Sequence, residues 1–226
     1  MIGGKYVVEE PLGMGWEGEV YRVTERTTGA TRAIKLFHPQ RNPRDRRIKR
    51  YARKLEKLRD CPILTQYHHT EQVRVGKERL TCLVSEFVRG QMLPDYVKGH
   101  PGQRLDPFRA LHLIHTLASG LAQIHAQGEY HGDLHAENIL VRPRGIFFDV
   151  KVLDLYDWSG QASEARRDDV VDLVRILFDI TGGRARYASQ PREVKEIVRG
   201  LRRGLILQRF PSMNRLRIWL ESFAWD

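Results

Sequence analysis

The stretch His131-Gly132-Asp133-Leu134-His135-Ala136-Glu137-Asn138-Ile139-Leu140-Val141 decides the reading of this chain. It closes on an apolar, β-branched run, Ile139-Leu140-Val141, that favours a strand. The polar half is therefore the loop feeding that strand. In the loop a carboxylate, Asp133, precedes an amide, Asn138, by five positions. That pair suits a base beside a metal ligand: Asp133 can accept or orient a hydroxyl proton, and Asn138 can offer a neutral oxygen to Mg²⁺. His131, Asp133 and His135 also allow a zinc reading, but no matching ligand cluster elsewhere completes it. His131 reads better as a packed, hydrogen-bonded histidine.

Working outward, Val150-Lys151-Val152-Leu153-Asp154-Leu155-Tyr156 carries a second carboxylate off the end of an apolar strand. Asp154 is placed to supply another oxygen to Mg²⁺, bridging nucleotide phosphates; in isolation such an aspartate also caps turns. Towards the N-terminus, Leu12-Gly13-Met14-Gly15-Trp16-Glu17-Gly18-Glu19-Val20-Tyr21 fits G-x-G-x-x-G-x-V through Gly13, Gly15, Gly18 and Val20. Glycines at positive φ would let backbone N–H groups approach phosphate oxygens. A glycine-rich hairpin turn is the plainer reading. The motif lies between two strand-like runs rather than before a helix, which disfavours a dinucleotide site. Arg32-Ala33-Ile34-Lys35 follows at the separation one strand and turn would need, so Lys35 can reach phosphates as a point charge.

The remaining pattern predicts an α+β chain. Strands are expected at Tyr6-Val7-Val8, Val20 to Val23, Thr31 to Phe37 and Leu80 to Val88, with short ones at Ile139-Leu140-Val141 and Val150 to Leu153. Leu111, Ile114, Leu117, Leu121 and Ile124 recur at helical spacing, predicting a long helix that ends near Gly128. Further helices are expected over Asp169 to Ile180, Pro191 to Leu205 and Ser212 to Phe223. The strands follow one another too closely for βαβ crossovers.

Composition bounds the rest. The 226 residues suffice for one well-buried domain or two small lobes, and a 41% hydrophobic, 29% charged makeup is that of a globular protein. No apolar run is long enough for a membrane span, and Met1-Ile2-Gly3-Gly4-Lys5-Tyr6 lacks the layout of a signal peptide. With Cys61 and Cys82 as the only cysteines, a reducing cytoplasm is the expected setting. Net charge is +10, and residues 41–59 hold ten Lys and Arg against two acids. Ile48, Tyr51 or Ala52, Leu55 and Leu58 make this stretch a helix with a narrow apolar stripe. Its charges form either a solvated face or a surface for an anionic partner.

Taken in order, the four motifs resemble the eukaryotic-type protein kinase superfamily nearly end to end. The resemblance implies a two-lobed fold in a single domain, 1–226: a small antiparallel sheet with one helix over 1–87 and a mainly helical part over 88–226. It implies ATP and Mg²⁺ as cofactors. Gly13, Gly15, Gly18 and Val20 would cover the nucleotide and Lys35 would hold its α/β-phosphates, while Asp133 would be the catalytic aspartate with Asn138 and Asp154 on the metal. Leu83-Val84-Ser85-Glu86-Phe87-Val88 looks like the strand leading into the family's hinge, which would set the backbone of Glu86 and Val88 against adenine. Asp169, in Asp169-Val170-Val171-Asp172-Leu173, would brace the catalytic loop, and Gln208-Arg209-Phe210-Pro211-Ser212 resembles the closing segment.

The departures bear on the acceptor. Gly132 stands where regulated protein kinases carry arginine, and His-Gly-Asp-Leu-His is the style of aminoglycoside phosphotransferases and choline kinases. The metal motif reads Asp154-Leu155-Tyr156. Only fourteen residues separate Asp154 from Asp169, without an Ala-Pro-Glu sequence, so a docked protein segment loses its usual platform. Glu56 is the only glutamate of the basic stretch to pair with Lys35, at unusual spacing. The implied function is transfer of the γ-phosphoryl of Mg·ATP to a hydroxyl, with protein Ser/Thr favoured over a small hydroxylated molecule. A nucleotide-binding pseudokinase is the competing class.

Overall fold

The computed structural model describes residues 1–145, 147–155 and 161–224. The chain forms two compact units, residues 1–60 with 64–89, and residues 61–63 with 90–226.

The first unit is a five-stranded antiparallel sheet. Its strands are β1 (Tyr6–Met14), β2 (Gly18–Glu25), β3 (Thr31–Phe37), β4 (Tyr67–Val75) and β5 (Glu78–Glu86), in the spatial order β1-β2-β3-β5-β4. Tyr6, Val23, Ile34, Val73, Cys82 and Val84 fill its core. The edge strand β4 has no counterpart among the expected strands. Its sequence, YHHTEQVRV, is mostly polar because it pairs on one side only. The signal that reveals it is the two-residue turn Gly76-Lys77, with Gly76 at φ 60 and Val75 paired to Glu78.

One helix, α1 (Arg46–Lys57), accompanies the sheet. Pro39 and Pro43 hold the preceding residues in short 3₁₀ turns, so the helix starts later than its charge run does. Buried Asn42 caps it: Oδ1 accepts from the backbone N–H groups of Arg47 (3.2 Å) and Ile48 (3.3 Å). Ile48, Ala52 and Leu55 bury the apolar stripe, leaving Arg46, Lys49, Arg50, Arg53 and Lys57 exposed.

The second unit is built around α3 (Pro107–Ala126). Asp106 caps it by accepting from the Arg109 amide (2.9 Å), Pro107 pre-sets its first turn, and Gly128 at φ 79 follows its end. Leu111, Ile114, Leu117, Leu121 and Ile124 are all buried, as their spacing predicts. A short sheet, β6 (Gln91–Met92), β7 (Ile139–Arg144) and β8 (Phe147–Val152), carries the loop that matters for function. The remaining helices are α2 (Leu93–Lys98), α4 (Ala162–Ile180), α5 (Gly183–Tyr187), α6 (Arg192–Val198), α7 (Arg203–Arg209) and α8 (Met213–Leu220).

Two differences from the sequence reading have physical causes. The expected helix Pro191 to Leu205 is broken, because Arg199, Gly200 and Leu201 all lie at positive φ (46, 61 and 56). The redirected α7 then carries Arg203 onto Glu164 and Asp168 of α4. Helix α4 itself begins well before Asp169, at Ala162.

Residues 61–63 belong to the second unit through backbone and packing. The Val152 amide donates to the Ile63 carbonyl (2.6 Å), and Ile63 packs where α3 has no side chain, at Gly120. A Cβ at Gly120 would meet three side-chain carbons of Ile63 at 2.5–2.6 Å. Gly120→Ala is expected to cost about 1–3 kcal/mol in urea denaturation. Combined with Ile63→Ala in a double-mutant cycle, the same change should carry no overpacking penalty.

Candidate functional site

In the second unit the loop expectation meets a specific geometry. Asp169 is fully buried, and its carboxylate accepts from the backbone N–H groups of His131 (2.8 Å) and Gly132 (2.9 Å) and faces His125 Nε2 at 2.8 Å. A buried carboxylate survives only when its lone pairs are met, and here three donors meet them. Gly132 lies at φ 83, so any residue with a Cβ is strained there by about 1 kcal/mol.

His131 uses both ring nitrogens: Nδ1 accepts from the Asp133 amide (3.2 Å), and Nε2 donates to the Leu153 carbonyl (2.8 Å). It is a structural tie, as its packed-histidine reading holds. Among the described residues no group of three His, Cys, Asp or Glu could hold a metal ion.

The same loop meets the end of β8. Ile139 pairs with Val152, and the Leu153 amide donates to the Asn138 carbonyl (2.8 Å), so Asn138 adjoins the backbone that leads into Asp154. Asn138 Nδ2 donates to the Asp133 carbonyl (3.0 Å) and faces His135 Nε2 at 2.9 Å. These two contacts engage the amide nitrogen, and an amide oxygen can only accept. Asp154 sits at φ 53, a costly backbone for an aspartate and a common mark of functional positions. An amide oxygen and a carboxylate are the hard donors Mg²⁺ takes, so this donor set fits the ion. Tyr156 lies outside the described residues.

Asp133 is exposed, with His135 Nε2 at 3.7 Å from Oδ2. Glu137, beside His135 Nδ1 at 3.0 Å, is held below the usual carboxylate range by its own backbone N–H and then by His135. A cavity of about 350 Å³ opens next to the loop, lined by Leu93, Val97, Leu134, Glu137, Asp172 and Ile176 among others.

In the first unit the glycines play unequal parts. None of Gly13, Gly15 and Gly18 is at positive φ, contrary to the expectation for this turn. The Gly15 amide bonds the Gly18 carbonyl (2.9 Å), closing the turn with ordinary torsions. A Cβ on Gly18 would lie 1.9 Å from the Leu36 carbonyl oxygen, so packing alone requires this glycine. Around Gly13 and Gly15 a Cβ would meet nothing within 4 Å.

Val20 pairs with Lys35 and Lys35 with Leu83, placing Val20 beside the lysine across the strands. Lys35 is largely buried, and its Nζ lies 3.1 Å from Glu17 Oε2; Arg47 of α1 holds the other oxygen, Oε1, at 2.9 Å. Glu56, expected at Lys35, is exposed and sits on Arg59 at 3.1 Å. It falls on the outer face of α1 because its position is one residue past buried Leu55. Glu17 was legible only as part of the glycine motif. Glu86 clasps Gln66, its amide donating to the Gln66 carbonyl (2.9 Å) and its carboxylate accepting from the Gln66 amide (2.8 Å). Val88 lies two residues beyond the end of β5 and is half-buried.

Comparison with known proteins agrees with these motifs. Residues 6–172 match the family model for the protein kinase domain. The serine/threonine-protein kinase pkn2 of Myxococcus xanthus is 34% identical over 145 residues, covering 62% of this chain and 16% of that protein. The serine/threonine-protein kinase PkaA of Streptomyces coelicolor is 30% identical over 153 residues, covering 64% of this chain and 28% of that protein. The chain thus spans less than a third of the length of these two relatives. The PknI kinase domain of Mycobacterium tuberculosis shares the fold at a TM-score of 0.68 and 19% identity, over 97% of this chain and 96% of that one. This chain belongs to the protein kinase family, and its fold is kinase-like α+β.

Two outcomes follow from the site's geometry. Gly18→Ala is expected to lower the melting temperature clearly, whereas Gly13→Ala and Gly15→Ala should leave it within about a degree, the size of an ordinary surface change; differential scanning calorimetry separates them. Burial raises the Asp172 carboxyl to about 6, Arg175 opposing this and Asp169 adding to it. A carboxyl raised on folding favours the native state only while protonated, so its contribution is present at low pH and is lost as pH rises through about 6. Asp172→Asn should therefore be more stable than the wild type by about 1 kcal/mol at pH 7.5, with the difference gone near pH 4.

Proposed function

We propose that the chain is a Mg·ATP-dependent phosphotransferase that moves the γ-phosphoryl group to a hydroxyl, in its two units as one kinase-like domain. The observation that supports this reading is the backbone clasp between Asn138 and Leu153, which sets Asn138 beside the strand end leading into Asp154, itself at φ 53. In it, Asn138 and Asp154 hold Mg²⁺, which when bound neutralises phosphate charge. Asp133 orients the acceptor hydroxyl and takes its proton. Lys35 holds the α/β-phosphates, Gly13 and Gly15 leave room for the phosphates to approach the turn, and Val20 covers the nucleotide. The backbone of Glu86 and Val88 borders the adenine.

The acceptor in this reading is a protein Ser/Thr hydroxyl. The named serine/threonine-protein kinases among the relatives support that choice. A small hydroxylated acceptor is the second reading, favoured by Gly132, whose φ of 83 suits glycine and not the arginine of phosphorylation-regulated kinases. The exposed cationic face of α1 supports contact with an anionic partner, and two buried free thiols, Cys82 being raised to about 12 by burial, suit a reducing cytoplasm. No helix among the described residues is long and apolar enough to cross a membrane.

The test is incubation of the purified chain with Mg²⁺ and γ-labelled ATP, with phosphosites mapped by mass spectrometry. Wild type is expected to transfer label to serine or threonine, and Asp133→Asn to lose about 10²–10⁴-fold in kcat. Equal background from the two proteins would end the enzyme reading. A soluble metabolite turned over far faster than any protein would reassign the acceptor.

A further inference from the structure

The helix beside the sheet presents no glutamate to Lys35. What it presents is Tyr51, whose ring centroid lies 5.5 Å from the ammonium. The carboxylate comes instead from the tip of the glycine turn. We infer that Glu17 is the positioning residue for Lys35, performing from the turn the task that the family resemblance assigned to the helix. This rests on the reading of Lys35 as the phosphate-holding lysine.

Each part of the arrangement fixes Glu17 against that lysine. Its backbone is pinned, because the His38 amide donates to the Glu17 carbonyl (2.9 Å) and extends the β2–β3 ladder by one bond. Its carboxylate is shared, one oxygen on Lys35 and the other on Arg47, so that it bridges β3 to the first turn of α1. Its neighbour Trp16 is held by the same helix end and by the 3₁₀ turn Pro39–Arg41, with the Arg41 and Arg47 guanidinium carbons 4.2 and 4.6 Å from its ring centroid. The usual polarity is thus exchanged: the helix supplies the cation and the turn supplies the anion.

The electrostatics suit support of phosphate binding rather than a block on it. Lys35 has a side chain only 10% exposed, where an ammonium is costly without a partner charge. Glu17 answers that cost while staying 28% exposed itself. An ammonium carries three donors, and the Glu17 carboxylate engages one of them.

The experiment compares wild type, Glu17→Gln, and Glu17→Gln with Tyr51→Glu, the second change returning a carboxylate to Lys35 from the helix. Two readouts are taken: steady-state kcat and KM for ATP, and the rate at which an amine-acylating reagent labels Lys35 in nucleotide-free protein. Glu17→Gln is expected to lose about 10-fold or more in kcat with a smaller change in KM, since misplacement of a positioned group acts mainly on the chemical step. Lys35 labelling should rise several-fold, because loss of the carboxylate both uncovers the amine and favours its neutral form. The double variant should regain at least part of kcat and return labelling towards the wild-type rate. Glu17→Gln at or above wild-type kcat would overturn the inference, as would unchanged labelling, or labelling restored by Tyr51→Glu with no recovery of kcat. Should the wild type transfer no phosphoryl group at all, the proposed function fails by itself, and the labelling comparison still decides whether Glu17 holds Lys35.

Discussion

The buried carboxylate of Asp169 is the constraint on which the loop side of the site depends. An uncompensated carboxylate at full burial would cost several kcal/mol, so the surrounding backbone must bring donors to it. Two of those donors are consecutive amides, His131 and Gly132, and two consecutive N–H groups converge on one acceptor only if the chain turns sharply between them. The turn is made at Gly132 with φ 83. From there the consequences run in order. The His131 ring reaches the Leu153 carbonyl, Asn138 closes on the Leu153 amide, and Asp154 is left at φ 53 immediately after a residue bonded on both sides. The strain at Asp154 is sustained because Leu153 before it is held at both its amide and its carbonyl.

The glycine turn obeys a different constraint. Its three glycines share a motif but not a reason: Gly18 is demanded by the Leu36 carbonyl, while Gly13 and Gly15 are demanded by nothing in the described residues around them. A residue kept small without an internal cause is one whose missing side chain leaves room for something else to approach. The side chains of the turn do the opposite. Trp16 and Glu17 reach back to Arg41, Arg47 and Lys35, tying the turn to the helix that follows β3.

How much of this was legible follows from the range of each interaction. Strong periodicity made α3 readable to within a few residues, and the apolar runs marked β3, β5, β7 and β8. The polar edge strand β4 escaped because a strand paired on one side needs few apolar residues, and the break after Val198 escaped because Arg199 and Leu201 carry no propensity for the left-handed region they occupy. Around the loop, Asp133, Asn138, Asp154 and Asp169 stand out in the sequence because their order along the chain is itself a signal. The partner of Lys35 could not. An ion pair across the sheet leaves no periodic trace. Glu56 was the one glutamate of the helix, whereas the carboxylate that meets the lysine lies eighteen residues before it, inside a motif already explained by its glycines.

The two halves therefore differ in what holds them. Around Asp169, hydrogen bonds to backbone amides and carbonyls do the positioning in a water-excluded setting, where screening by salt is weak. Around Lys35 the positioning is done by charged side chains, one of them more than a quarter exposed and another, Arg47, 36% exposed. The more exposed Arg47–Glu17 pair weakens with ionic strength, whereas the largely buried Lys35 is screened less. A backbone-held mount for Asp133, Asn138 and Asp154, and a side-chain-held mount for Lys35, match the demands of the proposed chemistry. Under the proposed function Asn138 and Asp154 would keep one geometry throughout, whereas Lys35 and the glycine turn would admit a triphosphate and release a diphosphate at every cycle. The carboxylate on Lys35 belongs to the glycine turn itself, so under that proposal the support of the lysine and the turn over the phosphates are one element.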